Sequence, residues 1–196
     1  MSQRDPIATG VITWLGTNQT RKGFSRPRQR LIFRADGIKG DRYRGFTRNL
    51  SGHDGPYIRR SGLEKRDVVV NHRPITGAEE TELEAATRDI GQPVLPGMLR
   101  ENVIFLLKWN MHEISFSTLP PRSLIVIGKK RGLILETTEE NSPCDGVARP
   151  YAEHYGEKSL LPSFIKHLQH RRGQMIRVFS AGTAFVGDPV EVYWPV

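Results

Sequence analysis

A single cysteine, Cys144, stands in the segment Asn-Ser-Pro-Cys-Asp-Gly at residues 141–146. Its neighbours form turns rather than cores, and Pro143 restricts the backbone before it. A thiolate is a strong nucleophile and a soft metal ligand, and a nearby cation such as Arg149 favours that ionised form. An unpaired cysteine is also often a small buried hydrophobe. These residues alone leave a chemical role and a structural role for Cys144 equally open.

Residues 37–45, Gly-Ile-Lys-Gly-Asp-Arg-Tyr-Arg-Gly, place three cations, Lys39, Arg42 and Arg44, among glycines. Such a loop can offer backbone N–H groups and positive charge to an anion, with Asp41 orienting an arginine. The segment is not a P-loop, because no Gly-Lys-Ser/Thr follows at the required spacing. Taken alone, it is better explained as an ordinary charged turn.

A third polar group, Glu101 and Asn102, comes directly before the apolar run Val103–Leu107. Polar side chains at the mouth of a buried strand can bind a ligand, and they can equally cap a turn. The six histidines show no spacing typical of metal ligands, so a zinc site made by protein ligands alone is not predicted.

Positive charge is concentrated in the first third of the chain. The whole chain carries a net charge of +8, and residues 21–73 contain 15 Lys/Arg against 5 Asp/Glu, which is +10, so the remainder nets −2. This segregation favours an anionic partner such as phosphate, a phosphorylated cofactor or nucleic acid. A solvated basic face without any ligand explains the composition as well.

The elements that must position these residues are mostly strands. Alternating and β-branched runs predict seven of them, at residues 10–16, 68–74, 102–109, 123–128, 132–138, 174–182 and 188–194, the fourth and fifth as a hairpin. Helical spacing predicts helices over 77–90, with Thr76 as its N-cap, and over about 160–172. Residues 46–66 and 141–150 are predicted to be loops.

Many short strands without a βαβ rhythm predict a mainly β fold, closed into a barrel, with a few peripheral helices. No domain boundary is visible, so residues 1–196 are expected to form one domain, with a strand and a basic segment in residues 1–30. The first residues lack a secretory h-region, no run spans a membrane, and one cysteine cannot form an internal disulfide. We therefore expect a cytoplasmic protein that does not interact with membranes.

Taken in order, these motifs resemble the MOSC domain, the C-terminal domain of molybdenum cofactor sulfurases. The likeness covers residues 31–196 and is most specific in four places. They are the G-x-x-G-D-R loop at 37–42, the G-x-x-x-E-N at 97–102, the Pro-Cys at 143–144 and the final G-D-x-V at 187–190. The family fold is a closed β-barrel with a few helices. Tyr43 stands where the family loop often has histidine, so a role that needs an imidazole is not expected there.

The resemblance implies that the protein handles the molybdenum–molybdopterin cofactor, with Cys144 as metal ligand, catalytic thiol or sulfur carrier. The implied cofactor-binding residues are Lys39, Gly40, Asp41, Arg42, Tyr43, Arg44, Arg73, Glu101, Asn102, Asn141, Ser142 and Arg149. Lys39, Arg42, Arg44 and Arg73 are further expected to line one pocket together with Cys144. The chain has no room for a pyridoxal-phosphate desulfurase domain and no cysteines for an iron–sulfur cluster.

Three functions follow, in descending order. The first is a small molybdoenzyme that reduces N-hydroxylated compounds with electrons from a partner protein. The second is a sulfur or cofactor carrier that holds a persulfide on Cys144 and receives sulfur from a donor protein. The third is a basic barrel that binds nucleic acid, which is disfavoured because aromatic residues are sparse in the basic segment.

Overall fold

The structure is a computed structural model and describes residues 5–20, 23–50, 62–111, 114–128 and 132–195. The strands in these ranges are β1 (Ala8–Thr17), β2 (Arg26–Arg28), β3 (Arg30–Arg34), β4 (Gly37–Ile38), β5 (Thr47–Asn49), β6 (Val68–Val70), β7 (Ile75–Glu79), β8 (Val103–Trp109), β9 (Leu124–Ile127), β10 (Leu133–Glu140), β11 (Gln174–Ser180), β12 (Gly182–Phe185) and β13 (Pro189–Tyr193). The helices are α1 (Glu80–Ile90), α2 (Asp145–His154) and α3 (Leu160–His167), with a 3₁₀ turn at Phe116–Thr118.

Seven strands close into a barrel in the order β1–β13–β9–β10–β11–β7–β8 and back to β1. Closure leaves these strands without a free edge, which confirms the predicted barrel. Within the barrel, β7 and β8 are the parallel pair, and helix α1 supplies the crossover that parallel neighbours need. Strand β2 adds to β1 outside the ring, while β3, β4 and β12 form a separate three-stranded sheet.

Two apolar clusters occupy the two faces of the barrel wall. Along β8, Val103, Phe105 and Leu107 belong to one cluster and Ile104 belongs to the other, as the two-residue period of a strand requires. The first cluster fills the barrel, and the second lies between the wall and the three helices. Each large side chain buried in this way contributes about 2 kcal/mol to the free energy of unfolding.

The first helix begins later than the sequence predicts. Thr76 is a strand residue of β7 and not an N-cap, and helix α1 starts at Glu80 after the N-cap residue Glu79. The backbone of β7 is used for pairing with β8 and β11, and this tertiary pairing overrides the local helix signal. The helix ends as predicted at Gly91, which adopts a left-handed φ of 79°.

The predicted loop at 141–150 is wrong in its second half, because helix α2 starts at Asp145 and Cys144 is its N-cap. Asp-Gly indicates a turn in isolation, but Val147, Ala148 and Tyr151 form a buried helical face against the second cluster. The predicted helix over 160–172 is shorter, at Leu160–His167.

Strands β9 and β10 pair antiparallel, which confirms the predicted hairpin, although its turn residues 129–131 lie outside the described residues. Part of the predicted loop 46–66 pairs instead, since β5 forms a two-stranded sheet with β6. Residues 51–61 of that loop lie outside the described residues.

Candidate functional site

The strand registers bring the candidate residues to one end of the barrel. Glu140 pairs with Gln174, Gln174 pairs with Gly77, and Gly77 pairs with Val103. The end of β10 and the starts of β11, β7 and β8 therefore meet at the same rim. Asn141 follows β10 and Asn102 precedes β8, so residues distant in sequence become neighbours there.

Cys144 lies beside this rim, at the N-terminus of helix α2. It is half-buried and packs against the second apolar cluster, so it is neither a fully buried core thiol nor a fully exposed one. Its carbonyl accepts the first hydrogen bonds of the helix, from the N–H groups of Val147 and Ala148 at 3.0 Å. The positive end of the helix dipole favours a thiolate at this position.

The cation beside the sulfur is Arg172, a residue that the sequence reasoning missed. Its Nη1 lies 3.8 Å from the Cys144 Sγ and donates to the Ser142 carbonyl at 2.6 Å, while Nη2 donates to the Leu99 carbonyl at 3.4 Å. Burial lowers the pKa of this guanidinium, and the Cys144 sulfur and the Glu101 carboxyl oppose that shift. An arginine keeps its charge at this depth, so it can stabilise an anionic sulfur.

Glu101 lies deeper at the same rim and is almost completely buried. Its Oε2 accepts the Leu99 N–H at 3.1 Å, and its Oε1 has no hydrogen-bond partner. Burial raises the pKa of this carboxyl to about 7, against the opposing charge of Arg172. The group therefore exchanges a proton near neutral pH and keeps one oxygen available to a ligand.

Asn141 is also buried, and neither polar atom of its side chain has a hydrogen-bond partner. The Nε of Arg172 is buried and unpaired as well. Buried polar groups in folded proteins are nearly always paired, so unpaired ones require an explanation. Several such atoms around one half-buried thiol are consistent with a polar ligand that would complete their hydrogen bonds.

Asn102 and Asp41 form a different kind of unit, because their side chains are bound to the protein itself. The Asp41 Oδ2 accepts the Asn18 N–H at 2.6 Å and the Asn102 Nδ2 at 2.8 Å, and its Oδ1 accepts the Tyr43 N–H at 2.8 Å. The Asn102 Oδ1 accepts the Thr76 N–H at 3.0 Å. These bonds attach the glycine-rich loop to the barrel rim.

Burial of Asp41 raises the pKa of its carboxyl, and the hydrogen bonds from Tyr43, Asn18 and Asn102 oppose that rise. The sequence reasoning took Asp41 as a partner for an arginine. The structure instead bonds it to two backbone N–H groups and an amide.

The exposed cations of the loop border a cavity of about 530 Å³ that is lined by Gln19, Asp36, Gly40, Asp41, Arg42 and Arg44. Arg44 is paired with Asp36 through its Nε at 2.7 Å, while Arg42 lies over the Tyr43 ring, with its guanidinium carbon 5.6 Å from the ring centroid. An open cavity with two arginines can receive an anionic group.

The remaining predicted cations lie elsewhere. Arg73 is bound to Glu139, and Arg149 is bound to Asp145 at 3.1 Å on the exposed face of α2. Neither these residues nor Lys39 and Cys144 line the cavity of the glycine-rich loop. The expected single pocket is therefore two separate places, the loop cavity and the thiol site at the rim.

Arg172 could have been found from the strand pattern. It comes two residues before Gln174, the residue that pairs with the end of β10, so an antiparallel pairing of these strands places residues 172–174 opposite 140–141. The sequence reasoning instead assigned Arg172 to the end of the last helix.

Comparison with known proteins agrees with this architecture. A family model for the MOSC domain matches residues 49–191. The chain is 26% identical over 176 residues to YuaD of Bacillus subtilis, covering 89% of this chain and 85% of that protein, which is named as a candidate metal–sulfur cluster biosynthesis protein.

Solved structures with the same fold extend the comparison. The crystal structure of YuaD from Bacillus subtilis superposes with a TM-score of 0.82 at 23% identity, covering 96% of this chain and 97% of that one. YiiM from Geobacillus stearothermophilus superposes with a TM-score of 0.57 at 14% identity, covering 94% of this chain and 74% of that one. None of the helices among the described residues is long and apolar enough to cross a membrane.

Proposed function

This chain belongs to the MOSC domain family, and we propose that it binds the molybdenum–pterin cofactor with Cys144 as the thiolate ligand of the metal. We further propose that the loaded protein reduces N-hydroxylated compounds with electrons from a partner protein. A metal–sulfur or cofactor-related role agrees with the family and with the name of the Bacillus relative. The observation that carries the proposal is the half-buried Cys144 thiol, 3.8 Å from the buried Arg172.

The residues at the rim suit the cofactor in three respects. A thiolate is a ligand of the soft type that such metals bind well. The unpaired atoms of Glu101 and Asn141 offer hydrogen-bonding groups at the kind of site where a polar ring system is held. Arg42 and Arg44 border an open cavity and carry the charge that a phosphate end would need. When bound, the cofactor would supply the electron transfer that no side chain of this protein can perform.

The protein's own residues would perform the binding and the proton handling. Arg172 holds the sulfur in its anionic form through charge and through contact. Glu101 can hold a proton on its carboxyl near neutral pH, because burial raises its pKa to about 7. Reduction of an N-hydroxyl group consumes protons as well as electrons, so a buried acid that titrates in this range is suited to the reaction.

A second candidate, sulfur carriage, is favoured by the name of the Bacillus relative and by the partial exposure of the thiol. In that function the Cys144 thiolate attacks the outer sulfur of a donor protein's persulfide, and the donor cysteine leaves as a thiolate. The new persulfide is stabilised by the same Arg172 charge. Sulfur carriage requires the thiol but no bound molybdenum.

Metal analysis of purified protein tests the proposal and separates the two functions. The protein is produced in a host that makes the cofactor, and molybdenum per chain is measured for the unmodified protein, for Cys144→Ser and for Ser142→Ala. We expect bound molybdenum in the unmodified protein and in Ser142→Ala, since Arg172 contacts the backbone carbonyl of Ser142 and not its side chain. We expect its loss in Cys144→Ser.

Turnover of a hydroxylamine compound with an artificial electron donor is measured on the same samples and should follow the metal content. Molybdenum retained by Cys144→Ser refutes the ligand assignment. Absence of molybdenum, together with a mass increase of one sulfur atom on Cys144 after incubation with a persulfide donor, identifies the carrier function instead.

A further inference from the structure

The 3₁₀ turn Phe116–Thr118 lies behind the start of β11 and is bound to it through Ser117. The Gly173 N–H donates to the Ser117 Oγ at 2.6 Å. The side-chain amide of Gln174 donates to the Ser117 carbonyl at 2.7 Å. The two residues that follow Arg172 are therefore attached to one buried serine.

Ser117 is held in turn by a carboxylate from helix α1. The Ser117 N–H donates to the Glu82 Oε1 at 2.9 Å, and the Ser117 hydroxyl donates to the Glu82 Oε2 at 2.7 Å. Because the hydroxyl has one proton and gives it to Glu82, its lone pair is directed toward the Gly173 N–H. Both side chains are buried, so water does not compete for these bonds.

Gly173 has almost no freedom to relax in another direction. Its φ is +88°, and a Cβ at this position would lie 1.9 Å from the Gly77 carbonyl oxygen of β7. Its own carbonyl accepts the Asn141 N–H at 2.9 Å. Gly173 is thus packed against β7 on one side and bonded to Ser117 and Asn141, and its position determines where the adjacent Arg172 starts.

We propose that Glu82 and Ser117 form a positioning pair, which sets Arg172 at its distance from the Cys144 sulfur through the Gly173 backbone. The inference rests on the proposed function of Cys144 as a reactive thiolate, and it adds a support that touches neither the sulfur nor a ligand. When the Ser117 hydroxyl is removed, the Gly173 N–H loses its partner and the start of β11 shifts or loosens, so the guanidinium moves away from the sulfur.

The reactivity of Cys144 reports on this support without any cofactor. Cys144 is the only cysteine in the chain, so alkylation by iodoacetamide measures this thiol alone. We expect Ser117→Ala to slow alkylation at pH 7 by about threefold or more, because a thiolate that loses its nearby cation is less populated. We expect Glu82→Gln, which keeps the size of the side chain, to slow it in the same direction by a smaller factor.

A second readout follows Arg172 directly. Its buried Nε–H gives a proton–nitrogen NMR signal, which is assigned by its disappearance in Arg172→Lys. The signal should shift or broaden in Ser117→Ala and in Glu82→Gln.

Glu79→Gln is the matched control. Glu79 is a second buried carboxylate that holds the same turn, through the Phe116 N–H at 3.3 Å and the Trp109 Nε1 at 2.9 Å, but it does not bond to Ser117. Its alkylation rate and its Arg172 signal should match those of the unmodified protein, even where its melting temperature falls.

The outcomes are decisive in both directions. Slower alkylation and a displaced Arg172 signal in the Ser117 and Glu82 variants, with neither in Glu79→Gln, support the positioning pair. An unchanged or faster rate in Glu82→Gln, or an equal effect in Glu79→Gln, overturns it. Because neither readout needs molybdenum, a failure of the proposed cofactor binding is recognised separately, in the metal analysis.

Discussion

Replacing Glu101 with glutamine should change how the stability of the protein depends on pH. The carboxyl is buried with one oxygen unpaired, and burial raises its pKa from 4.5 to about 7. The folded state therefore binds this proton more tightly than the unfolded state does. The contribution of Glu101 to the free energy of unfolding is greatest below pH 4.5, falls as the pH rises to about 7, and stays low above that value.

The size of the effect follows from the two pKa values. A shift of about 2.5 units corresponds to about 3 kcal/mol over the whole range, at about 1.4 kcal/mol per unit. Between pH 5.5 and pH 8.5, Glu101 should remove about 2 kcal/mol of stability. In Glu101→Gln the amide oxygen can still accept the Leu99 N–H, while no charge is buried at high pH. The variant should therefore lose less stability across this interval.

Urea unfolding followed by circular dichroism at pH 5.5 and 8.5 measures the difference. Glu82 titrates in the same range, because burial also raises its pKa to about 7, so Glu101→Gln should reduce the pH dependence of the unfolding free energy rather than abolish it. Glu84→Gln, an exposed position on helix α1, is the matched control and should leave the pH dependence unchanged. A pH dependence in Glu101→Gln equal to that of the unmodified protein would falsify the assignment of a buried, partly unpaired carboxyl.

Three further results are expected. Asn102→Ala should lower the free energy of unfolding by about 3 kcal/mol, because it leaves the Asp41 carboxylate and the Thr76 N–H without their partner; chemical denaturation measures this, and a loss below about 1 kcal/mol contradicts it. Gly173→Ala should lower the melting temperature far more than Gly156→Ala, since both positions have positive φ but a Cβ at Gly156 meets no atom within 4 Å, and equal effects would contradict the packing against Gly77. Arg172→Met should slow the alkylation of Cys144 at pH 7, while Arg149→Met should not, and a rate in Arg172→Met equal to that of the unmodified protein would contradict the charge contact.

The barrel could be predicted from the sequence because its strands carry their own pattern. β8 alternates between the two apolar clusters, and β9, β10 and β13 are bounded by glycine, proline or other turn residues. The start of α1 could not be predicted, because Thr76 to Glu79 read as a helix cap locally and become a strand only through pairing with β8 and β11. Local propensity does not contain the partner strand.

The candidate site divides in the same way. The loop around Cys144 and the pair Glu101–Asn102 are visible as short motifs, since their residue types are unusual for their positions. Which of them is free to bind a ligand depends on contacts from far along the chain. Asn102 is bound to Asp41, 61 positions away, whereas Glu101 beside it keeps an unpaired oxygen.

The charge of the site illustrates why composition is a poor guide to position. The excess of cations lies in residues 21–73, and the sequence reasoning expected those cations around the thiol. Closure of the barrel instead places Arg172 at the sulfur, because the start of β11 lies opposite the end of β10, and it leaves Arg42 and Arg44 at a separate cavity. One buried cation in contact with a thiol acts more strongly on it than several exposed ones, since water and salt screen the exposed charges. A cofactor with a metal at one end and a phosphate at the other is a ligand that can use both places, which is the reason to test the loop arginines and Cys144 against the same bound molecule.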